Sequence, residues 1–249
     1  TYKSNPALNS EYIAYLEGLG GNLGKAWREG EFDVFDGQYF IEWRYERHAE
    51  RPFTIPASWP RYRSIDPSGQ AGYTACGWYA LDSDGRVHKY REYVATGKDS
   101  KDHAIEINRL STDENGVLED YKYTVIDSAA FSKQGYSETT AEIYERHGVV
   151  GLIPAAKDRV PGWTVVHQYL KLPANITEKP LLCIFSTCVK MITQIPLAQH
   201  DELHPEDVSS KYVKTEEGGM EHNDALDELR YFLRTLREQK AAKPLSKVE

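Results

Sequence analysis

The sequence is short of the features that define several large classes of protein. It has three cysteines in 249 residues, an odd number without framework spacing, which favours a reducing compartment over secretion. No apolar run approaches the roughly 18 residues that a membrane-spanning helix needs, and no signal peptide opens the chain. The net charge is -8, so the basic excess expected of a protein that grips DNA tightly is missing too.

Nucleotide-binding and zinc motifs are also missing. The segment LGGNLGKA approaches a Walker A loop, but Leu19 stands at the first glycine and Ala26 at the hydroxyl position, so we expect no ATP hydrolysis by this chain. The overlapping GLGGNLG departs from the dinucleotide pattern at Leu23. In HDELH an aspartate replaces the glutamate of zinc proteases, and Pro205 follows directly, which predicts a surface loop.

What remains is the composition of an ordinary globular protein, with 40% hydrophobic and 12% aromatic residues. Because the chain starts without Met in polar, loop-like sequence, we expect it to be part of a longer protein with a domain upstream. Residues 1–60 are predicted to be a lead-in arm or linker, whose aromatic residues are interpreted as packing residues of the arm instead of a platform for stacking bases. Residues 61–239 are predicted to form the main domain, and residues 240–249 a disordered tail.

A regular pattern of strands and helices begins at residue 61. Three antiparallel strands are expected in YRSID, YTACGWYAL and RVHKYREYV, the last two joined at Asp84-Gly85, a strong hairpin signal. Helices and strands then alternate. The later elements are DSKDHAIEINRL (helix), YKYTVID (strand), SETTAEIYERHG (helix capped by Ser137), VVGLIPA (buried parallel strand), VPGWTVVHQYLK (helix), LLCIFS (strand) and HNDALDELRYFLRTLREQK (helix). This order predicts an α/β fold with a mixed sheet of five or more strands flanked by helices. The last helix is expected to carry one apolar stripe, formed by Ala225, Leu226, Leu229, Phe232, Leu233 and Leu236.

Acidic residues stand at three special points of this pattern. Asp66 ends the first strand, Asp127 ends the fourth, and Asp224 with Asp227 opens the last helix. A meander of three strands followed by right-handed crossovers makes the first and fourth strands adjacent and parallel, so we expect their carboxyl ends at one edge of the sheet. The carboxylates would then repel each other unless cations neutralise them. Oxygen ligands of this kind suit Mg²⁺ or Mn²⁺, so we expect a metal site.

Two divalent ions held about 4 Å apart can activate a water and stabilise a leaving oxygen in phosphodiester hydrolysis. Asp66 is the candidate bridge between the ions, and the Pro-Ser-Gly turn after it leaves room for a phosphate. An ordinary structural interpretation stays open for each acid: a turn former at a strand end, an N-cap for Asp224, and a first-turn acid that favours the helix dipole for Asp227.

At these residues the chain resembles the nuclease domain of the large terminase subunit of tailed bacteriophages, the genome-packaging motor that also cuts concatemeric DNA. The resemblance covers nearly all of the chain to about residue 239. SIDPSG resembles the first acidic strand and YTVIDSAAFS the second acidic site. HNDALDELRYFL is similar to the final motif, which places the metal-binding aspartate of the family on Asp227. Asp224 stands where many members have histidine and is kept as a further candidate ligand.

The resemblance implies an RNase H-like (RuvC-like) fold and two-metal hydrolysis of double-stranded DNA with Mg²⁺ or Mn²⁺. It makes Asp66, Asp127 and Asp227 the expected catalytic residues. The partners it implies are the ATPase domain of the same full-length protein, the portal and the small terminase subunit, with no membrane. It implies the host cell cytoplasm as the location, outside the mature virion.

Three further residues are candidates for contact with DNA or phosphate. Lys133 and Lys157 follow an acidic strand or its neighbour within loops, and His222 lies shortly before the acidic pair. Rival functions are another nuclease or strand-transferase of the same fold, such as a resolvase, and a non-catalytic interaction module of a phage motor. The interaction module would bind no divalent ions, because its carboxylates would be solvated groups that only form turns and helix caps.

Overall fold

The computed structural model describes residues 38–67, 73–113, 115–133, 135, 137–209, 213–214, 220–221 and 224–242. Within them, seven strands form one mixed sheet in the order β1-β7-β4-β3-β2-β5-β6. The strands are β1 (Ala49–Glu50), β2 (Arg61–Pro67), β3 (Thr74–Leu81), β4 (Val87–Ala95), β5 (Tyr121–Ile126), β6 (Leu152–Pro154) and β7 (Leu182–Phe185).

The pairing follows the predicted order of a meander and then crossovers. Strands β2, β3 and β4 are antiparallel neighbours, and Gly85 lies in the turn between the last two with φ of 83°. Strand β5 then returns parallel to β2, β6 parallel to β5, and β7 parallel to β4. The predicted burial of the strand in VVGLIPA is wrong. Strand β6 has three residues and is partly exposed, because it is the outermost strand of the sheet.

Helices cover the sheet and connect its parallel strands. They are α1 (Tyr45–His48), α2 (Ser100–Leu110), α3 (Thr140–Arg146), α4 (Arg159–Leu170), α5 (Val189–Leu197) and α6 (Asp224–Ala242), with a 3-10 helix at Ser128–Phe131. A separate two-stranded pair joins β8 (Val213–Lys214) and β9 (Met220–Glu221). No helix in the described part of the chain has both the length and the apolar character needed to cross a membrane.

The N-cap predicted for α3 is wrong by two residues. The cap is Thr139 instead of Ser137, and it forms a capping box with Glu142. The Glu142 amide donates to Thr139 Oγ1 at 3.1 Å, and the Thr139 amide donates to Glu142 Oε2 at 2.7 Å. A box needs an acid or amide side chain three residues after the cap, and only Thr139 has one.

Residues 38–60 belong to the same packed body as the sheet. Tyr39, Phe40 and Trp43 are buried in the main core, as the packing interpretation of these aromatics predicts. Strand β1 extends the sheet by pairing parallel to β7. Residues 1–37, which include the rest of the predicted arm, and residues 243–249 lie outside the described residues. The boundary at residue 60 stays a prediction.

Helix α6 packs its apolar stripe against the sheet and α4. Every residue of the stripe predicted from the sequence is buried: Ala225, Leu226, Leu229, Phe232, Leu233 and Leu236. The Phe232 ring stacks on Tyr79 of β3 with centroids 4.1 Å apart. The three cysteines, Cys76, Cys183 and Cys188, are buried thiols of the interior.

One charged residue of α6 also points into the sheet. Glu228 is fully buried and pairs with Lys89 of β4, while the Tyr79 hydroxyl donates to Glu228 Oε2 at 2.8 Å. Burial raises the pKa of Glu228 to about 6, although Lys89 opposes the shift. Gly77 leaves the space for this carboxylate, because a Cβ there would lie 2.6 Å from both Glu228 oxygens.

We expect Lys89→Met to lower the free energy of unfolding by about 3 to 5 kcal/mol, because it leaves the Glu228 charge buried without its partner. The measurement is urea denaturation of the variant, of Glu228→Gln and of the double variant. The double variant should recover part of the loss. Without Lys89 the pKa of Glu228 rises further, so the loss should be smaller at acidic pH and grow as Glu228 ionises. Equal losses for the single and double variants would contradict the pairing.

Candidate metal centre and cleft

Asp66 and Asp127 lie at the same edge of the sheet. Ile65 of β2 is in register with Ile126 of β5, and the Asp127 amide donates to the Ile65 carbonyl at 3.3 Å. The two aspartates therefore follow neighbouring, level residues of parallel strands. The adjacency predicted from the order of the strands is present.

Asp127 also has a structural role. Its Oδ1 accepts from the Ala129 amide at 2.9 Å and caps the 3-10 helix that follows β5. The Ser128 hydroxyl is 3.4 Å from the same oxygen. An ionised carboxylate has about four acceptor sites. Capping and metal binding are therefore compatible in one residue.

Asp227 reaches the same edge from α6. The Ser64 hydroxyl of β2 donates to the backbone carbonyl of Glu228 at 2.7 Å. This bond ties the residue after Asp227 to the residue two before Asp66. Asp227 itself is buried, with 8% of its surface exposed.

Tyr231 lies among all three predicted ligands. Burial raises its pKa above the usual range, and the charges of Asp66, Asp227 and Asp127 raise it further, while Arg230 opposes them. The three carboxylates are thus near enough to act on one hydroxyl. That hydroxyl stays protonated at neutral pH and is a hydrogen-bond donor.

Two arginines hold the carboxylate of Asp227. Arg230, one turn later in α6, donates to Asp227 Oδ1 from Nε at 2.9 Å and from Nη2 at 2.7 Å. Arg159, the first residue of α4, approaches the same oxygen through Nη1 at 3.3 Å. Arg230 is itself buried, and its side chain packs on Gly162, where a Cβ would lie 2.7 Å from Arg230 Cγ. The position of Asp227 is therefore set by cationic donors.

A cleft of about 300 Å³ opens beside these groups. Its lining combines acidic, basic and hydroxyl side chains with small apolar ones: Asp127, Ser128, Ala155, Ala156, Lys157, Arg159, Arg230 and Tyr231. Such a lining suits a ligand that carries anionic oxygens and meets cations at the same place.

The structure separates the other predicted site residues. Lys157 is exposed and lines the cleft, whereas Lys133 is exposed in the loop after the 3-10 helix and is not among the residues of its lining. His222 lies outside the described residues. Helix α6 begins at Asp224, whose side chain is also outside the described part of the structure.

Sequence reasoning missed the contacts of both arginines with Asp227. Arg230 had a signal, since it follows Asp227 by three residues and therefore shares its face of the helix. Arg159 had none, because 68 residues separate it from Asp227. Such a contact follows from the packing of α4 on α6.

A second cluster of potential metal ligands lies at the opposite edge of the sheet. Among the described residues, Glu50, His88 and Cys183 form a group with ligand atoms within 4.8 Å of one another. Asp66, Asp127 and Asp227 do not form a second such group there, so their carboxylates are spread over a wider area than one compact ion site. His88 Nδ1 is 2.6 Å from Glu50 Oε1, and Lys179 Nζ is 2.8 Å from Glu50 Oε2. These contacts form an ionic network in which the side chains of His88 and Glu50 are largely buried and that of Lys179 is exposed.

Comparison with known proteins gives likenesses of fold. No family model matches the sequence, and no curated protein matches it. The P22 large terminase nuclease domain has a TM-score of 0.59 at 14% identity, covering 85% of this chain and 100% of that one. The HK97 bacteriophage large terminase has a TM-score of 0.55 at 11% identity, and the match covers 94% of this chain and 55% of that one. The large terminase nuclease from thermophilic phage G20c with bound magnesium has a TM-score of 0.52 at 10% identity, and the match covers 78% of this chain and 95% of that one.

These likenesses and the strand order define the class of fold. The chain has an RNase H-like α/β fold, a mixed sheet of seven strands flanked by helices. More particularly, it resembles the nuclease domains of several phage large terminases over most of its length. The fold predicted from the sequence is confirmed.

We expect substitution of the aspartates to alanine to cost unequal amounts of stability. Asp227→Ala leaves buried Arg230 without its partner and should lower the free energy of unfolding by about 3 kcal/mol. Asp127→Ala removes a cap and should cost about 1 kcal/mol. Chemical denaturation without added metal measures both. Equal losses would contradict the Arg230 pairing, and Asp227→Asn, which keeps an acceptor, should lose less than Asp227→Ala.

Proposed function

We propose that this chain is a metal-dependent endonuclease that cleaves double-stranded concatemeric DNA while a phage genome is packaged. The observation that carries the proposal is that Asp66 and Asp127 follow level residues of adjacent parallel strands and that Asp227 of α6 lies at the same edge of the sheet. The likeness to the P22 nuclease domain supports the reaction class. The magnesium bound to the G20c nuclease supports the proposal that this chain uses a divalent ion.

Asp66, Asp127 and Asp227 would hold two Mg²⁺ or Mn²⁺ ions. Their oxygen donors fit these ions, and repulsion between the carboxylates favours a cation. Two such ions, when bound, activate a water and stabilise the leaving oxygen of the phosphodiester. Arg230 keeps Asp227 directed to the sheet edge. Lys157 faces the cleft, where it would meet a backbone phosphate, and Tyr231 donates a hydrogen bond instead of taking a proton.

The proposal extends to the setting of the reaction. The partners are double-stranded DNA, an ATPase domain in the same full-length protein, the portal and the small terminase subunit, and the location is the host cytoplasm. A resolvase of the same fold would prefer four-way junctions and act as a symmetric dimer. The strongest rival of another class is a non-catalytic motor module, for which the capping role of Asp127 is the favouring observation.

We expect supercoiled plasmid to be nicked and linearised with Mn²⁺ or Mg²⁺ and to stay intact with EDTA. Asp66→Asn, Asp127→Asn and Asp227→Asn should each reduce the rate roughly 100-fold or more, because each removes a charged metal ligand. Asp224→Asn, measured beside Asp227→Asn, decides which acid of α6 is the principal ligand. Agarose gel electrophoresis over time gives the rates.

The matched control is Asp84→Asn, an exposed acid in the turn between β3 and β4 at the other edge of the sheet. It should cut like the unmodified protein. Calorimetry with Mn²⁺ separates the rival, since a non-catalytic module binds no ion. Cutting that survives Asp66→Asn would refute the metal assignment.

A further inference from the structure

Arg159 links the cleft to a loop that has no part in the site described so far. Its Nε donates to Asp207 at 2.9 Å to Oδ2 and 3.2 Å to Oδ1, and its Nη2 donates to the Val208 carbonyl at 3.3 Å. Its Nη1 points to Asp227. The side chain is 33% exposed and lines the cleft. One edge of the guanidinium is thus held by the loop while the other faces the site.

Asp207 is held in turn from several sides. The Trp163 indole donates to Asp207 Oδ1 at 2.6 Å, and the Val208 amide donates to the same oxygen at 2.7 Å. The Tyr39 hydroxyl donates to the carbonyl of Glu206 at 2.7 Å, which fixes the loop one residue earlier. Burial opposes ionisation of Asp207, but hydrogen bonds from Arg159 and Trp163 lower its pKa. It is therefore a fixed anionic anchor at neutral pH.

The two cleft arginines are not equivalent. Arg230 is 2% exposed and gives two short hydrogen bonds to Asp227. Arg159 is more exposed, and its contact with Asp227 is the longer one at 3.3 Å. A planar guanidinium of fixed orientation matches the oxygens of a phosphate better than a flexible ammonium such as Lys157. Arg159 is accordingly the cleft cation arranged to exchange a weak contact for a phosphate.

We propose that Arg159 binds a phosphate of the DNA strand in the cleft and that Asp207 is the residue that positions it. The proposal rests on the nuclease function proposed above and adds a DNA-contacting residue and a positioning residue to it. Asp207 acts only through Arg159, since the loop bonds determine the direction in which the guanidinium points.

The first test measures DNA binding in an Asp66→Asn background, which prevents cleavage. Fluorescence anisotropy with a duplex oligonucleotide at several salt concentrations gives Kd and its salt dependence. Arg159→Gln should weaken binding about tenfold and reduce the slope of log K against log salt by about 0.9, the value for one phosphate contact. Arg159→Lys keeps the charge and should keep the slope. The control Arg237→Gln, an exposed arginine of α6 that bonds Gln168, should leave the slope unchanged.

The second test measures single-turnover cleavage at saturating DNA and metal, so that affinity does not enter. Arg159→Lys and Asp207→Asn should each slow cleavage roughly 10- to 100-fold through misplacement of the phosphate. Asp207→Asn combined with Arg159→Gln should be no slower than Arg159→Gln alone, because Asp207 acts through Arg159. If Asp207 only stabilised the loop, its substitution would lower Tm and leave the rate of the folded protein unchanged.

The outcomes separate this inference from the proposed function. If the unmodified protein cuts DNA and Arg159→Gln matches Arg237→Gln in slope and rate, the role of Arg159 is refuted while the nuclease stands. If the unmodified protein does not cut DNA with either Mg²⁺ or Mn²⁺, the nuclease proposal fails. The salt slopes of the Asp66→Asn series then still decide whether Arg159 contacts a phosphate.

Discussion

The carboxylate of Glu228 is buried between α6 and the sheet, where it accepts hydrogen bonds from Lys89 Nζ and from the Tyr79 hydroxyl. Charges so fully buried are tolerated only when they are paired and hydrogen-bonded, so α6 has one rotation about its axis that satisfies them. Gly77 provides the space for this contact. In that rotation Asp227, one residue earlier, faces the ends of β2 and β5. The location of the candidate metal centre thus depends on an ion pair that takes no part in the chemistry.

Acidic and basic side chains lie close together around the candidate metal centre. Asp66 and Asp127 supply negative charge from the sheet, while Arg230 and Arg159 hold Asp227 from the helices. In this arrangement the guanidinium groups compensate a carboxylate that a metal would otherwise neutralise. A net acidic chain thus presents cationic side chains at one cleft.

The two edges of the sheet carry different kinds of ionic group. Asp66 lies near the end of β2, whereas His88 lies at the start of β4, and these strands run in the same direction. His88 is already engaged by Glu50 and Asp82 and is covered by the rings of Phe53 and Trp59. The edge that carries Asp66 and Asp127 instead borders a cleft. The carboxyl ends of parallel strands are where ligands bind in open α/β sheets, so the edge that carries Asp66 and Asp127 is the favoured place for a functional site.

Local patterns were sufficient for the hairpin at Gly85, the buried stripe of α6 and the parallel return of β5 beside β2, because alternation, helical spacing and crossover rules act over short stretches or few topologies. They also identified Asp66 and Asp127 as neighbours. The sequence by itself did not determine the contacts of Asp227 with Arg159 and Arg230, the anchoring of Arg159 by Asp207, or the Lys89–Glu228 pair. Apart from the pair Asp227 and Arg230, which lies within one turn of α6, these contacts join residues far apart in the chain, and only the packing of α4 and α6 on the sheet brings them within hydrogen-bonding distance.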